Sequence, residues 1–147
     1  MGHELTLNHY EVTAKLGQGG MGFVFKADDP SLCRLIALKV LLTPLVQDKK
    51  ARERFRREAR AAASVHSEHV VAIHAVEDTA PIPYLVMEFV EGTSLHDHLR
   101  QDERPSWEEI ARIGAEIADG LEAAHATGLV HSDVKPSNIL LERGSGR

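Results

Sequence analysis

Asp133, Lys135 and Asn138 lie within six consecutive residues, and their types suit one kind of chemistry. A carboxylate can accept or orient a hydroxyl proton, an ammonium can offset phosphate charge, and an amide oxygen can ligate a divalent metal. Together they fit the transfer of a phosphoryl group. The surrounding stretch, Leu129 to Leu141, reads L-V-H-S-D-V-K-P-S-N-I-L-L. Pro136 excludes a helix interior, so the polar cluster reads as a loop held between two apolar anchors.

The elements that must hold such a loop can be read upstream. Tyr10, Val12, Ala14 and Leu16 alternate with Glu11, Thr13 and Lys15, the period of a half-buried strand. Next comes G-Q-G-G-M-G-F-V from Gly17 to Val24, which fits G-x-G-x-x-G-x-V with Gly17, Gly19 and Gly22 in the glycine positions. Glycines permit a tight turn and let backbone N–H groups approach phosphate oxygens, although a hairpin turn without function has the same look. A dinucleotide fold requires a helix directly after the glycines. Here Phe23-Val24-Phe25-Lys26 continues in β formers instead.

A third strand, Leu35 to Val40, places Ala37 and Lys39 on one face by alternation. From Asp48 to Val65 the pattern turns helical, with Phe55, Ala59, Ala62 and Ala63 at helical spacing. The rest of that helix carries Lys49, Lys50, Arg52, Arg54, Arg56, Arg57 and Arg60, read as a solvated face. Glu58 lies beside the apolar stripe, where the local expectation is an i,i+4 pair with Arg54. Two further strands are expected over Val70–Val76 and Tyr84–Val90, around a turn marked by Asp78, Pro81 and Pro83. Ser94 caps a short helix over Leu95–Arg100. Ser106 and Glu109 form a capping box for a longer helix with Ile110, Ile113, Ile117, Leu121 and Ala124 as its stripe and Gly128 as its stop.

A chain of 147 residues with 43% hydrophobic and 27% charged residues has the size and composition of one globular domain. Its formal charge of −5 gives no general attraction to nucleic acid or anionic membrane. The single Cys33 excludes an internal disulfide and fits a reducing compartment. No signal peptide or membrane span is apparent, so the expected location is the cytoplasm. Nine histidines invite a metal, but His66, His69, His96 and His98 lack the spacing and companions of a tetrahedral site.

In their order, these motifs resemble a bacterial-type serine/threonine protein kinase from about Tyr10 to Leu141. The carriers are the glycine loop between strands, I-A-L-K ending at Lys39, Glu58 in the helix, and H-S-D-V-K-P-S-N from His131 to Asn138. The resemblance implies an α+β fold, with a five-stranded antiparallel sheet and one helix over residues 1–91. Residues 92–147 would supply the first helices and catalytic loop of an incomplete helical lobe. It further implies ATP-dependent phosphorylation of protein serine or threonine, with ATP and Mg²⁺ as cofactors. Gly17, Gly19 and Gly22 would cover the phosphates, Lys39 paired with Glu58 would bind them, and Val24 and Ala37 would enclose the adenine. Met87 takes the gatekeeper place, and Glu88 to Val90 the hinge. Asp133 would orient the hydroxyl, Lys135 stabilise the transferring phosphate and Asn138 hold one metal ion, while His131 packs and hydrogen-bonds.

Ser132 departs from the H-R-D arginine, so a charge-assisted contact to a phosphorylated activation loop is not expected. The sequence ends before a D-F-G motif, from which a truncated domain, an unpaired terminal strand over Ile139–Leu141 and self-association through uncovered apolar surface are expected. A non-catalytic ATP-binding pseudokinase or interaction module is the alternative, and an inert remnant the third reading.

Overall fold

The computed structural model describes residues 5–19, 22–42, 46–101 and 104–144. Strands β1 (Leu5–Leu7), β2 (Tyr10–Gln18), β3 (Gly22–Asp29) and β4 (Arg34–Leu41) precede helix α1 (Lys49–Ala63), followed by β5 (Ile73–Glu77) and β6 (Tyr84–Glu88). Next come β7 (Gly92–Ser94), α2 (Leu95–Arg100), α3 (Trp107–Ala126), a 3-10 turn (Pro136–Asn138) and β8 (Leu140–Glu142). The chain divides into two compact units, residues 1–64 with 72–89, and residues 65–71 with 90–147.

In the first unit one antiparallel sheet runs in the order β1-β2-β3-β4-β6-β5. The five expected strands are joined by a sixth, β1, which the short polar start of the sequence hardly signals. It exists because Asn8 adopts φ 58 and turns the chain so that Leu7 faces Tyr10. Asparagine tolerates this left-handed conformation better than most residues. On one face of the sheet, Tyr10, Ala27, Ile36, Leu38, Tyr84 and Val86 form a buried cluster. On the other, Leu41 and Leu85 pack with Phe55 and Ala59 of α1. Lys39 belongs by alternation to that second face.

Helix α1 begins where Asp48 accepts hydrogen bonds from the backbone N–H groups of Lys50 (2.9 Å) and Ala51 (3.4 Å), as an N-cap should. Its arginines are not simply a solvated face, which corrects the reading from sequence. Arg52 donates from both terminal nitrogens to four carbonyls, those of Val46 (3.3 Å), Asp78 (3.2 Å), Ala80 (3.2 Å) and Pro81 (3.5 Å). Arg56 Nε and Arg60 reach Oδ2 of Asp78 at 2.9 and 3.3 Å. Residues 52, 56 and 60 recur every fourth position, so one stripe of the helix grips the turn between β5 and β6.

The strand expected from Val70 begins only at Ile73. Before it, Val70 N–H bonds Ser67 O and His69 N–H bonds Ser67 Oγ, a local turn that competes with the ladder.

In the second unit, α2 and α3 start at Ser94 and Ser106 as expected. Their hydroxyls accept from Asp97 N–H and Glu109 N–H, each at 3.1 Å. Gly128 follows α3 at φ +80, the left-handed stop that glycine adopts without strain. A Cβ on Gly120 would sit 2.9 Å from His69 O, so this helix carries a glycine where a backbone comes against it.

The terminal strand is not unpaired, contrary to expectation. β8 pairs with β7, Gly92 opposite Glu142 and Ser94 opposite Leu140, and Leu95 N–H bonds Ile139 O at 2.8 Å. Gly92 makes this possible, since a Cβ there would lie 1.9 Å from Leu141 O. Gly92-Thr93-Ser94 carries no strand signal of its own, because its partner lies nearly fifty residues away.

Candidate active site

The first unit assembles one set of the expected residues through sheet register. β3 pairs with β4 so that Val24 faces Lys39, while Gly17 on β2 faces Val24. Across the next strand Ala37 faces Met87. Opposed residues in adjacent strands share a face. Gly17, Val24, Ala37, Lys39 and Met87 are thus brought together on one surface by three strand pairings. Ala37 is buried and Lys39 exposed, which leaves the ammonium accessible to a ligand.

The glycines of the loop play different parts. Gly19 N–H bonds Gly22 O at 2.8 Å and closes the turn. Positions 20 and 21, including Met21, lie outside the described residues. A Cβ on Gly22 would fall 1.9 Å from Val40 O, so Gly22 is demanded by the sheet itself. A Cβ on Gly17 or Gly19 would meet nothing within 4 Å. These two are not required by packing, and the space beside them is open to phosphate oxygens.

The expected pair of Lys39 with Glu58 is not made. Glu58 accepts from Arg54 Nε at 2.8 Å instead, the i,i+4 arrangement that the helix favours locally. Among the described residues Lys39 has no carboxylate within ion-pair distance. At the expected hinge, Glu88 commits its backbone N–H to Ala72 O (2.8 Å) and its carboxylate to Ala72 N–H (3.2 Å). An adenine contact at Glu88 therefore has to use its carbonyl. Val90 follows β6 as half-buried irregular chain.

The second unit builds the polar loop. Pro136 opens the 3-10 turn that carries the chain to Asn138, and Asn138 N–H bonds Lys135 O at 2.9 Å. That turn folds Asn138 back on the acid, its Nδ2 donating to Asp133 O (2.9 Å) and Oδ2 (3.1 Å). Lys135 Nζ lies 3.3 Å from the same Oδ2. Oδ1 is left for another donor. Asp133 N–H in turn bonds Nδ1 of His131 at 3.2 Å, so the neutral imidazole carries its proton on Nε2. Ser132 between them takes φ 61, a left-handed backbone that is uncommon outside glycine and asparagine.

The Asp133 carboxyl is held below the usual carboxylate range, chiefly by the Lys135 ammonium, with desolvation opposing and the Asn138 amide adding to the lowering. It is ionised at neutral pH. Such a group orients a hydroxyl and takes its proton only as charge develops in the reaction.

For a divalent ion, both Asn138 hydrogen bonds use Nδ2, so the amide oxygen is the ligand atom that remains. Among the described residues no group of three His, Cys, Asp or Glu could hold a metal. The donor set therefore fits Mg²⁺ bound mainly through water and substrate phosphates, with one or two protein oxygens. It does not make an independent metal site.

Residues 10–146 match the family model for the protein kinase domain. The serine/threonine-protein kinase PknJ of Mycobacterium tuberculosis is 39% identical over 150 residues, covering 99% of this chain and 25% of its own length. A probable serine/threonine-protein kinase of Corynebacterium efficiens is 38% identical over 143 residues, covering 95% of this chain and 22% of its own length. The crystal structure of the PknI kinase domain of Mycobacterium tuberculosis superposes with a TM-score of 0.82 at 30% identity, covering 99% of this chain and 59% of that one. The chain thus spans about a quarter of the curated relatives and a little over half of that kinase domain. Its curled antiparallel sheet, its capped helices and its H-S-D-V-K-P-S-N loop have one common explanation: the chain belongs to the protein kinase domain family.

Proposed function

We propose that this chain carries the nucleotide-binding and hydroxyl-orienting parts of an ATP-dependent protein serine/threonine phosphotransferase. Residues 1–91 act as its N-lobe, and residues 92–147 as part of its C-lobe. The observation that carries the proposal is the convergence of Lys135 and Asn138 on one oxygen of Asp133, which leaves the other for a hydroxyl. Both curated relatives are named as established or probable serine/threonine-protein kinases, which supports the reaction class.

ATP bound with Mg²⁺ supplies the phosphoryl group. Lys39 binds its α and β phosphates, the backbone at Gly17 and Gly19 covers them, and Val24 and Ala37 contact the adenine. Met87, Glu88 and Val90 form the purine edge of the site. Asp133 holds the serine or threonine hydroxyl through Oδ1, Lys135 faces the charge that develops on the transferring group, and Asn138 gives one oxygen to the metal. Catalysis in this scheme is positioning and charge stabilisation rather than covalent chemistry. The intracellular side of a membrane or the cytoplasm is where ATP is available, and no described helix is long and apolar enough to cross a bilayer.

Thermal unfolding with and without Mg²⁺ and ATP tests the nucleotide site. A saturable rise of the midpoint is expected, because a ligand of the folded state stabilises it by linkage. In Lys39→Met the rise should shrink while the midpoint without ligand stays put. Equal nucleotide affinity in Lys39→Met and the unaltered chain refutes the phosphate-site assignment. Nucleotide binding with no phosphate transfer would replace the enzyme with a binding module.

A further inference from the structure

We infer that Lys26 is a base-contacting residue of the nucleotide site, its ammonium donating to a ring nitrogen of the bound purine and favouring a ligand with a base over bare phosphate. This role rests on the nucleotide site proposed above. Sheet register brings Lys26 there, since it faces Ala14 on β2 and Ala37 on β4. One level nearer the glycine loop, Val24 faces Lys39. Opposed residues share a face, and levels two residues apart are separated by about 7 Å. The four side chains form a square, with Val24 and Ala37 on one diagonal and Lys39 and Lys26 on the other. Lys39 is the cation on the glycine-loop side. Lys26 is the cation on the far side, where a base lying over Val24 and Ala37 ends.

The Lys26 ammonium is held in a way that keeps its donors available. Nζ lies 4.9 Å from the ring centroid of Phe89, two residues beyond Met87. Glu11 and Asp28 face each other one level further along the same face, yet neither forms an ion pair with Lys26. A ring face attracts a cation through its quadrupole and does not occupy its N–H groups as a carboxylate does. Among the described residues, Nζ of Lys26 has no hydrogen-bond acceptor. Lys26 and Phe89 are both half-buried, so these unused donors are partly withdrawn from water.

A purine supplies what they lack. Its ring nitrogens are acceptors, and a largely apolar site fixes its ligand through a few placed polar groups. Gly17, Val24, Ala37 and Met87 offer no side-chain donor. Glu88 spends its backbone N–H on Ala72 O at 2.8 Å, and Lys39 is assigned to the phosphates. On this surface Lys26 is the side-chain donor that remains for the base.

The test measures by calorimetry the affinity of the full chain for ATP and for tripolyphosphate, each with Mg²⁺, in the unaltered chain and in Lys26→Met, Lys26→Arg and Lys39→Met. Methionine keeps an apolar stem and removes the charge and the donors. Lys26→Met should weaken ATP roughly fivefold, the scale of one cation contact in a partly desolvated site, with tripolyphosphate affinity and the unfolding midpoint unchanged. Lys26→Arg should retain ATP to within about twofold, since a guanidinium also donates and stacks on a ring. Lys39→Met should weaken both ligands.

Equal ATP affinity in Lys26→Met and the unaltered chain overturns the role of Lys26. Equal weakening of ATP and tripolyphosphate by Lys26→Met means that its charge acts on the phosphates, which overturns the base contact. A lowered unfolding midpoint in Lys26→Met, with ATP affinity recovered in the fraction that remains folded, assigns Lys26 to packing and overturns it as well. An unaltered chain that binds no ATP refutes the nucleotide site and this role with it, whereas ATP binding that depends on Lys39 but not on Lys26 refutes this role alone.

Discussion

Arg52 offers the sharpest energetic test of how α1 is held. Its two terminal nitrogens donate to the carbonyls of Val46, Asp78, Ala80 and Pro81 at 3.2 to 3.5 Å. Arg52→Ala removes all four. Hydrogen bonds to a charged donor contribute up to ~3 kcal/mol, but these are long and water can replace part of each one, so about 0.5 kcal/mol apiece is the sound figure. The sum, about 2 kcal/mol, corresponds to roughly 5 °C in midpoint for a chain of this size, or about 1 M in the urea midpoint. Arg52→Lys should recover less than half, because a point cation cannot reach four acceptors as a planar fork does. Urea unfolding followed by circular dichroism measures both variants against the unaltered chain. If Arg52→Ala falls within about 0.5 kcal/mol of it, or Arg52→Lys is silent, the four carbonyls are equally well served by water and the grip on the β5–β6 turn is not energetic.

The glycine loop separates packing from binding. Gly22→Ala should lower the unfolding midpoint by several degrees, because its Cβ meets Val40 O, whereas Gly17→Ala should leave the midpoint alone and weaken nucleotide binding; the reverse pattern in thermal unfolding with and without Mg²⁺ and ATP would reject the division of roles. For Asp133, a folded pKa held below its ordinary 3.8 means stability that is fully present above that value and is lost as pH falls through the folded value. Lys135→Met should bring the Asp133 carboxyl back up toward 3.8, read from its carbon-13 chemical shift during an acid titration; an unmoved titration would show that Lys135 is not the chief cause.

What could be read from the sequence was what depends on local chemistry. Ser94 and Ser106 announce helix starts, because a cap is a contact between residues three apart. The Asp133 cluster was legible for the same reason, since its contacts span five residues at most. Ala37 and Lys39 were placed on one face by alternation alone.

Contacts across long separations left no such trace. The β7–β8 pairing joins residues nearly fifty positions apart, and Gly92 gives no sign of the Leu141 carbonyl it must accommodate. The clamp of Arg52, Arg56 and Arg60 on the β5–β6 turn was hidden because arginines on a solvated face and arginines gripping a turn have the same periodicity. Asp78 was a usable signal. It is a turn residue that ends up half-buried, and a buried carboxylate implies a cation.

The two sets of contacts around α1 also differ in strength, and the difference decides how Glu58 can change partners. The helix is fixed to the first unit by Phe55 and Ala59 in the core and by the Arg52 clamp. Burying one large apolar side chain such as Phe55 stabilises by roughly 1.5–3 kcal/mol, and the clamp by a similar amount. Glu58 is held by a single pair whose two side chains are 64% and 46% exposed, in reach of water and salt. Moving the whole helix would break the strong set in order to change the weak one. A rotation of the Glu58 side chain away from Arg54 leaves the clamp and the core intact. Release of Glu58 from Arg54 therefore needs only a side-chain rotation on a stationary helix. Salt should then weaken the hold of Arg54 on Glu58 long before it loosens α1. A helix that comes away from the sheet at the same salt concentration at which Glu58 is released would contradict this order of strengths.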